Sequence, residues 1–356
     1  QDPEEVTVFF LPESSGPCRF GQYNVQLGQL LRHKKVEQTA ILSLTCENGY
    51  AGFGQPIQLR AWRAVLMADV MDDIYSAALV LPKDREKALE EFQAVSASFE
   101  WALEKESWDG IKSTLRAGSA RLARIPRKLE IHDAKKVGVA GEIFVRRDPL
   151  STQYLAERLA DHDIICKVAP VHEWMYYTEY IYRNAIYLQQ PGFMDRMGSL
   201  ARDFVKNRIE RQIKGILAKS GFYEFKLVDV GKMMKSVKHL IPAQLTAGDA
   251  VLTVAAAINE IVDEAHGFII IGPFGCLPNR IAEAILTHSM KDEKPKVTDH
   301  LELVKAILEQ HASLPFLAIE SDGGVFPQVV QARLETFFLQ VERMHETMNR
   351  MTGKPV

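Results

Sequence analysis

The residues of this chain best suited to chemistry are its 4 cysteines. Two of them stand in matching surroundings. Cys276 closes the run Gly272-Pro273-Phe274-Gly275-Cys276, and Cys18 follows Gly16-Pro17. Each comes after a short apolar run of strand type, Phe268 to Ile271 in one case and Val6 to Leu11 in the other. Each precedes helical apolar spacing, with Pro278 placed where a first helical residue would be. A thiol so placed lies at the carboxyl end of a strand and near the amino end of a helix. There the unpaired N–H groups and the helix dipole favour the thiolate. A lone cysteine is often a buried small hydrophobe. Two in matching Gly/Pro turns point instead to soft ligands for an iron–sulfur cluster or zinc. No Cys-x-x-Cys is present, so the site has to be assembled from distant segments.

Cys46 ends a third strand-like run, Gln38 to Thr45, and is a further ligand candidate or a packing residue. Cys166 lies inside Ile164-Ile165-Cys166-Lys167-Val168 and reads as core. Weaker candidates for acid/base work also stand at strand ends. His172-Glu173 after Pro170 is an acid/base pair or a helix-start carboxylate. Glu142, with Arg146 and Arg147 close by, meets an anion at the mouth of the site or belongs to an exposed basic turn. Glu320-Ser321-Asp322 ends the last strand, in ligand position or as an N-cap. The Arg and Lys residues of 202–214 read as a solvated helix face. No P-loop, G-x-G-x-x-G, H-E-x-x-H or G-x-S-x-G is present, so no nucleotide site is evident.

The elements that must position these residues alternate between strand and helix. Strands are expected near 6–11, 38–45, 136–141, 163–170, 268–271 and 315–320. Helices are expected over 23–31, 58–80, 85–123, 151–159, from 172, over 192–220, 245–266 and 327–348, with a short extended piece at 223–231. Ser151 is the expected N-cap of the 151–159 helix. The pattern is that of an α/β protein with two flavodoxin-like, Rossmann-like parallel-sheet domains and a helical insert or lid. The division expected is a partial α/β domain with a helical segment over 1–130, carrying Cys18 and Cys46, and a second α/β domain over 131–356, carrying Cys276.

The 356 residues are 47% hydrophobic and 25% charged, with a net charge of -3, which gives no reason to expect nucleic acid or an anionic membrane surface. No apolar run approaches the roughly 20 residues that span a bilayer. Few cysteines in a long chain suggest reduced thiols or metal ligands in a cytoplasm rather than a disulfide scaffold. Gln1 leads almost directly into a strand, which suggests a piece of a longer protein.

At Gly16-Pro17-Cys18-Arg19-Phe20-Gly21-Gln22-Tyr23 and Gly272-Pro273-Phe274-Gly275-Cys276-Leu277-Pro278 the chain resembles the cysteine-rich part of acyl-CoA dehydratase activase-related proteins. These belong with the 2-hydroxyacyl-CoA dehydratase and benzoyl-CoA reductase subunits and the double-cubane cluster proteins. Gly141 to Arg146, Ala169 to Trp174, Pro315 to Asp322 and Arg333 to Phe337 extend the likeness over nearly the whole chain. The resemblance implies a [4Fe–4S] cluster or an [8Fe–9S] double cubane, with Cys18 and Cys276 as ligands. It implies an ATP-hydrolysing activase domain or protein as electron donor, a homodimer or a larger multidomain chain, and an acyl-CoA or small reducible substrate. A further upstream cysteine is usual in that family. Here Cys46, a missing amino-terminal part or another chain would supply it. The expectation is therefore an electron-accepting or reductase component of an ATP-dependent, low-potential system. The alternatives are a cluster-free structural or regulatory domain of a larger protein, and a zinc-thiolate protein.

Overall fold

In a computed structural model, residues 5–11, 18–43, 54–184, 192–242 and 248–353 are described. The chain packs as two compact units, Gln1–Ala61 and Trp62–Val356. The first unit holds β1 (Thr7–Phe10), a 3₁₀ turn (Arg19–Gln22), α1 (Tyr23–His33) and β2 (Thr39–Leu42). β1 and β2 pair in parallel, with Val8 opposite Ala40 and Phe10 opposite Leu42. Ile41 faces α1 near Gly28, whereas Val8 and Phe10 are exposed.

The helix α2 (Gln55–Val80) runs across the division and is followed by α3 (Arg85–Lys105) and α4 (Trp108–Leu122). Then come β3 (Lys135–Gly141), α5 (Leu155–Ala160), β4 (Ile164–Val168), α6 (Val171–Arg183), α7 (Phe193–Leu217), α8 (Val230–Val237) and α9 (Ala250–Glu260). The chain ends with β5 (Gly267–Pro273), α10 (Leu277–Val297), α11 (Leu301–Gln310), β6 (Phe316–Ser321) and α12 (Gln328–Thr352). The four strands of this unit are parallel, in the order β4-β3-β5-β6. This is the open, doubly wound arrangement of flavodoxin-like sheets. The protein is thus α/β, with two parallel sheets and a helical insert between β2 and β3.

Both faces of the larger sheet are covered, as a parallel sheet requires. Val137, Val139, Ile269, Ile271, Leu317 and Ile319 pack on one face with Leu334, Phe337 and Val341 of α12. Cys166 belongs to the same core, and its burial pushes the thiol pKa up. On the other face every residue of α9 from Ala250 to Ile258 is buried, as expected of a helix apolar all round.

The insert groups with the second sheet rather than with residues before 61. Tyr75 donates to Glu157 (2.8 Å), Ser119 to the Ile216 carbonyl (2.9 Å), and the Cys166 N–H to Ser76 Oγ (2.7 Å). The sequence-based division at 130 therefore falls inside the second compact unit.

Several local expectations need correction. The single helix expected over 85–123 is two, because Ser107 caps a new helix by accepting from Gly110 N (3.3 Å). Ser151 caps nothing: its own N–H donates to Asp148, and the helix starts after Tyr154 in the left-handed region. The piece at 223–231 forms no strand; Asp229 caps α8 there by accepting from Lys232 N (2.9 Å). The helix expected over 245–266 starts only at Ala250, and 243–247 lie outside the described residues. It stops at Glu260 in a tight turn with Val262 at φ +70°. A β-branched residue held in that region costs about 1–3 kcal/mol. α11 was not anticipated.

Candidate site at the carboxyl edge of the sheet

From β3 the chain crosses to β4 on one side and later returns as β5 on the other. The loops after β3 and β5 therefore part at a topological switch point, where open α/β sheets place their ligands. The strands come close there. The Glu142 N–H donates to the Ile271 carbonyl (3.0 Å), and Gly141 has φ +118°. A Cβ on Gly141 would lie 2.0 Å from the Ile271 oxygen, so only glycine fits.

The β5 loop presents Cys276. The Phe274 N–H donates to the Ser321 carbonyl (3.0 Å) and the Gly275 N–H to Glu320 Oε1 (3.2 Å), which ties this loop to the end of β6. Gly275 sits at φ +72° with open space where a Cβ would project. Cys276 is the N-cap of α10: its backbone is extended, its carbonyl accepts from Arg280 N (3.0 Å), and its thiol makes no cap bond. It is half-buried and in no disulfide. Phe274 on one side is 79% exposed and Leu277 on the other 56%. Asn279 in the first turn of α10 is buried against Gly272 with neither amide atom hydrogen-bonded.

Cys18 in the first unit also stands at an N-cap, while 12–17 before it lie outside the described residues. It is exposed, and it is the N-cap residue of the 3₁₀ turn that leads into α1. Cys46 lies outside the described residues. Accessible thiols at two helix starts, neither in a disulfide, fit soft-metal ligation in donor chemistry. Among the described residues, no three His, Cys, Asp or Glu side chains converge on a metal position.

The weaker candidates are placed otherwise. Glu142 Oε2 accepts from the N–H groups of Phe144 (3.1 Å) and Val145 (2.8 Å), closing its own turn. Arg146 is buried, not part of an exposed basic turn. It donates to the carbonyls of Gly141 and Pro170 (3.1 Å each) and faces Glu173 Oε1 (3.4 Å), so it staples the ends of β3 and β4. Burial raises the Glu173 carboxyl to about 7 despite Arg146. It likewise raises Asp249, which accepts from Trp174 Nε1, to about 6. Arg147 is also mostly buried, on Asp69 (2.7 Å), Asp72 and the Ala169 carbonyl. Asp322 is no N-cap; it accepts from Gly324 N (2.8 Å) in a local turn.

His172 is 1% exposed and sits in a polar cluster built by three helices. Asp69 of α2 accepts from His172 Nδ1 (2.6 Å) and from the backbone N–H groups of Val171 (2.9 Å) and His172 (3.0 Å), so it caps α6 from outside. Lys214 Nζ lies 3.1 Å from His172 Nε2. Glu210 Oε1 stands 3.4 Å from the same Nε2, and against the cost of burial the hydrogen bonds to Asp69 and Glu210 raise the His172 pKa. Lys214 also donates to Glu210 (2.6 Å), which accepts from Tyr176 (2.7 Å). Against the cost of burial, contacts with His172 and Lys214 hold the Glu210 carboxyl at about 2.

Asp69, Glu210 and Lys214 were missed as partners of His172, and 202–214 is only in part a solvated face. The available signals were a carboxylate on the apolar face of Leu66, Val70 and Ile74, and a Glu–Lys pair at i,i+4.

No protein-family model, curated protein or solved structure matches the chain. Fold and site together define an open, doubly wound α/β protein with an accessible thiol at its switch-point edge. Among the described residues, no helix is long and apolar enough to cross a membrane.

Proposed function

We propose that this chain is an iron–sulfur protein, the electron-accepting or reductase component of an ATP-dependent, low-potential system of the 2-hydroxyacyl-CoA dehydratase type. The observation that carries the reading is Cys276: a half-buried thiol outside any disulfide, at the N-cap of a 21-residue helix, on the loop after β5. In this reading Cys18 and Cys276 are ligands, and Cys46 is the further candidate. When bound, the cluster supplies one-electron chemistry whose potential follows burial and hydrogen bonding to its sulfurs.

The chain's own residues hold and shield. Cys276 gives a soft sulfur donor at the start of α10. Gly275 leaves the loop open on one side, and Phe274 and Leu277 present apolar surface beside the thiol. The Glu320–Gly275 bond fixes the loop against β6. Glu173 and Asp249, raised by burial to about 7 and about 6, are carboxyls able to hold a proton near neutral pH. The proposed partners are an ATP-hydrolysing activase domain or protein, with a homodimer or a larger chain as the assembly, and an acyl-CoA or small reducible molecule as substrate.

The test is iron retention. Cys18→Ala and Cys276→Ala, purified without oxygen, should each lose iron, while Cys166→Ala keeps it. Full retention in both variants would overturn the ligand assignment. A second reading is a cluster-free structural or regulatory domain. It predicts no iron in any of the three.

A further inference from the structure

We propose that a polar cavity at the other end of the larger sheet binds a small zwitterion, a molecule of amino-acid to dipeptide size carrying both an ammonium and a carboxylate. The cavity has a volume of about 450 Å³. Small-molecule sites usually have about 300–1,000 Å³. It adjoins the starts of β3 and β5, the Ile261–Ala265 turn and the last turns of α12, and it includes none of the residues of the carboxyl edge.

The wall of the cavity is charged. Lys136 Nζ lies 2.7 Å from Glu224, and Lys167 Nζ and Lys226 Nζ each lie 2.8 Å from Glu264. Lys226 also meets Glu260 at 3.0 Å. The wall thus carries both signs, the ammonium groups of Lys136, Lys167 and Lys226 and the carboxylates of Asp133, Glu224, Asp263 and Glu264. Such a wall favours neither a lone anion nor a lone cation. It has spare valence of both kinds, because an ammonium has three N–H donors and a carboxylate about four lone-pair sites. Lys136 spends one donor on Glu224, and Lys167 one on Glu264. A ligand with both charges can use both kinds at once. Phe225, half-exposed, and Met348 give it an apolar surface to lie on.

The wall also holds a strained residue. Val262 lines the cavity with φ +70°, in a turn closed by its N–H on the Ala265 carbonyl (2.8 Å). This turn sends two successive carboxylates to different partners. Asp263 goes to Lys294 (2.8 Å) and Thr298 (2.6 Å), and Glu264 goes to Lys167 and Lys226. Strain of this kind concentrates where a ligand group must be aimed.

His266 adds a fixed polar group to this wall. The Lys136 N–H donates to His266 Nδ1 (3.0 Å), which puts the ring proton on Nε2, facing His345 Nδ1 (3.0 Å). Burial and the neighbouring His345 and Lys136 push the His266 imidazole down to about 3, so it adds no charge at neutral pH.

The test is calorimetric titration and thermal unfolding of the full chain with glycylglycine and with each free α-amino acid. Acetate and methylammonium serve as single-charge probes. At least one zwitterion should bind at one per chain, raise the melting temperature, and bind about tenfold or more tightly than either single-charge probe. Lys136→Met and Glu224→Gln should each weaken it about tenfold, the loss of one charge-assisted hydrogen bond. If Lys136→Met fails to fold, Glu224→Gln carries the test, since that side chain is 39% exposed. No zwitterion binding, equal binding of acetate or methylammonium, or unchanged binding by a folded variant would overturn the proposal.

Discussion

The cluster around His172 and the turn around Cys276 both follow strands of one sheet, yet they differ in access. His172, Asp69, Glu210 and Lys214 are each under 5% exposed, and each finds its partners within the protein. Cys276 is half-buried between two exposed apolar residues, its thiol makes no cap bond, and the amide of Asn279 nearby has no partner. The first arrangement spends its polar groups on holding helices together. The second sets a half-buried thiol beside exposed apolar surface. Titratable residues at a strand end are therefore not equivalent, and access separates a fastening from a site.

The largest effect that sharpens this contrast is expected at Asp69. Asp69→Ala removes the cap of α6 and leaves Arg147 and His172 without their shared carboxylate. Breaking a buried ion pair from one side costs about 3–5 kcal/mol. Urea unfolding measures it, and a loss within about 0.5 kcal/mol, the usual surface value, would break the comparison. Gly141→Ala should cost about 3 kcal/mol or more, combining left-handed strain with backbone overlap. The same unfolding experiment checks it.

The next effect is a pH dependence. The folded Glu173 carboxyl titrates at about 7 against an ordinary 4.5, so the folded state keeps a proton that the unfolded state releases. Stability must then fall as pH rises from about 4.5 to about 7, by up to about 3 kcal/mol from this group. Asp249, raised to about 6, and Asp73, raised by burial to about 7, act with the same sign. Glu173→Gln cannot ionise, so its unfolding midpoint should vary less across that window. An equally steep decline in the variant would remove Glu173 as its source. The smallest effect is expected at the turn itself. Cys276→Ser should change stability by no more than about 0.5 kcal/mol, and a thiol reagent should label Cys276 and Cys18 in the folded protein but Cys166 only after unfolding. Mass spectrometry of the labelled peptides checks this.

The same contrast explains what was legible in the sequence. The apolar run Phe268 to Ile271, the Gly/Pro break and the following helical spacing fix a strand, a turn and a helix locally, so a thiol near the start of that helix could be read directly, although Pro278, expected as the first helical residue, is the second. The register could not: that Gly141 touches the Ile271 carbonyl depends on pairing across 130 residues of sequence. The burial of Arg146 and Arg147 was hidden for a related reason. An Arg pair after a strand looks exposed until the carbonyls of Ala169 and Pro170, which they bind, are brought beside them. Ser107 splitting a helical run, and Asp229 starting an unexpected one, were within reach as cap residues. Helix propensity on either side outweighed the first, and the Tyr and Phe residues before the second suggested a strand.

We propose that the thiol at the switch-point edge carries a cluster. Its most direct test is iron and acid-labile sulfide content per chain, in protein purified without oxygen. The account predicts about four of each per chain, as one cubane requires, and loss of both in Cys276→Ala. Iron and sulfide near zero in the unsubstituted chain, or unchanged in the variant, would contradict it.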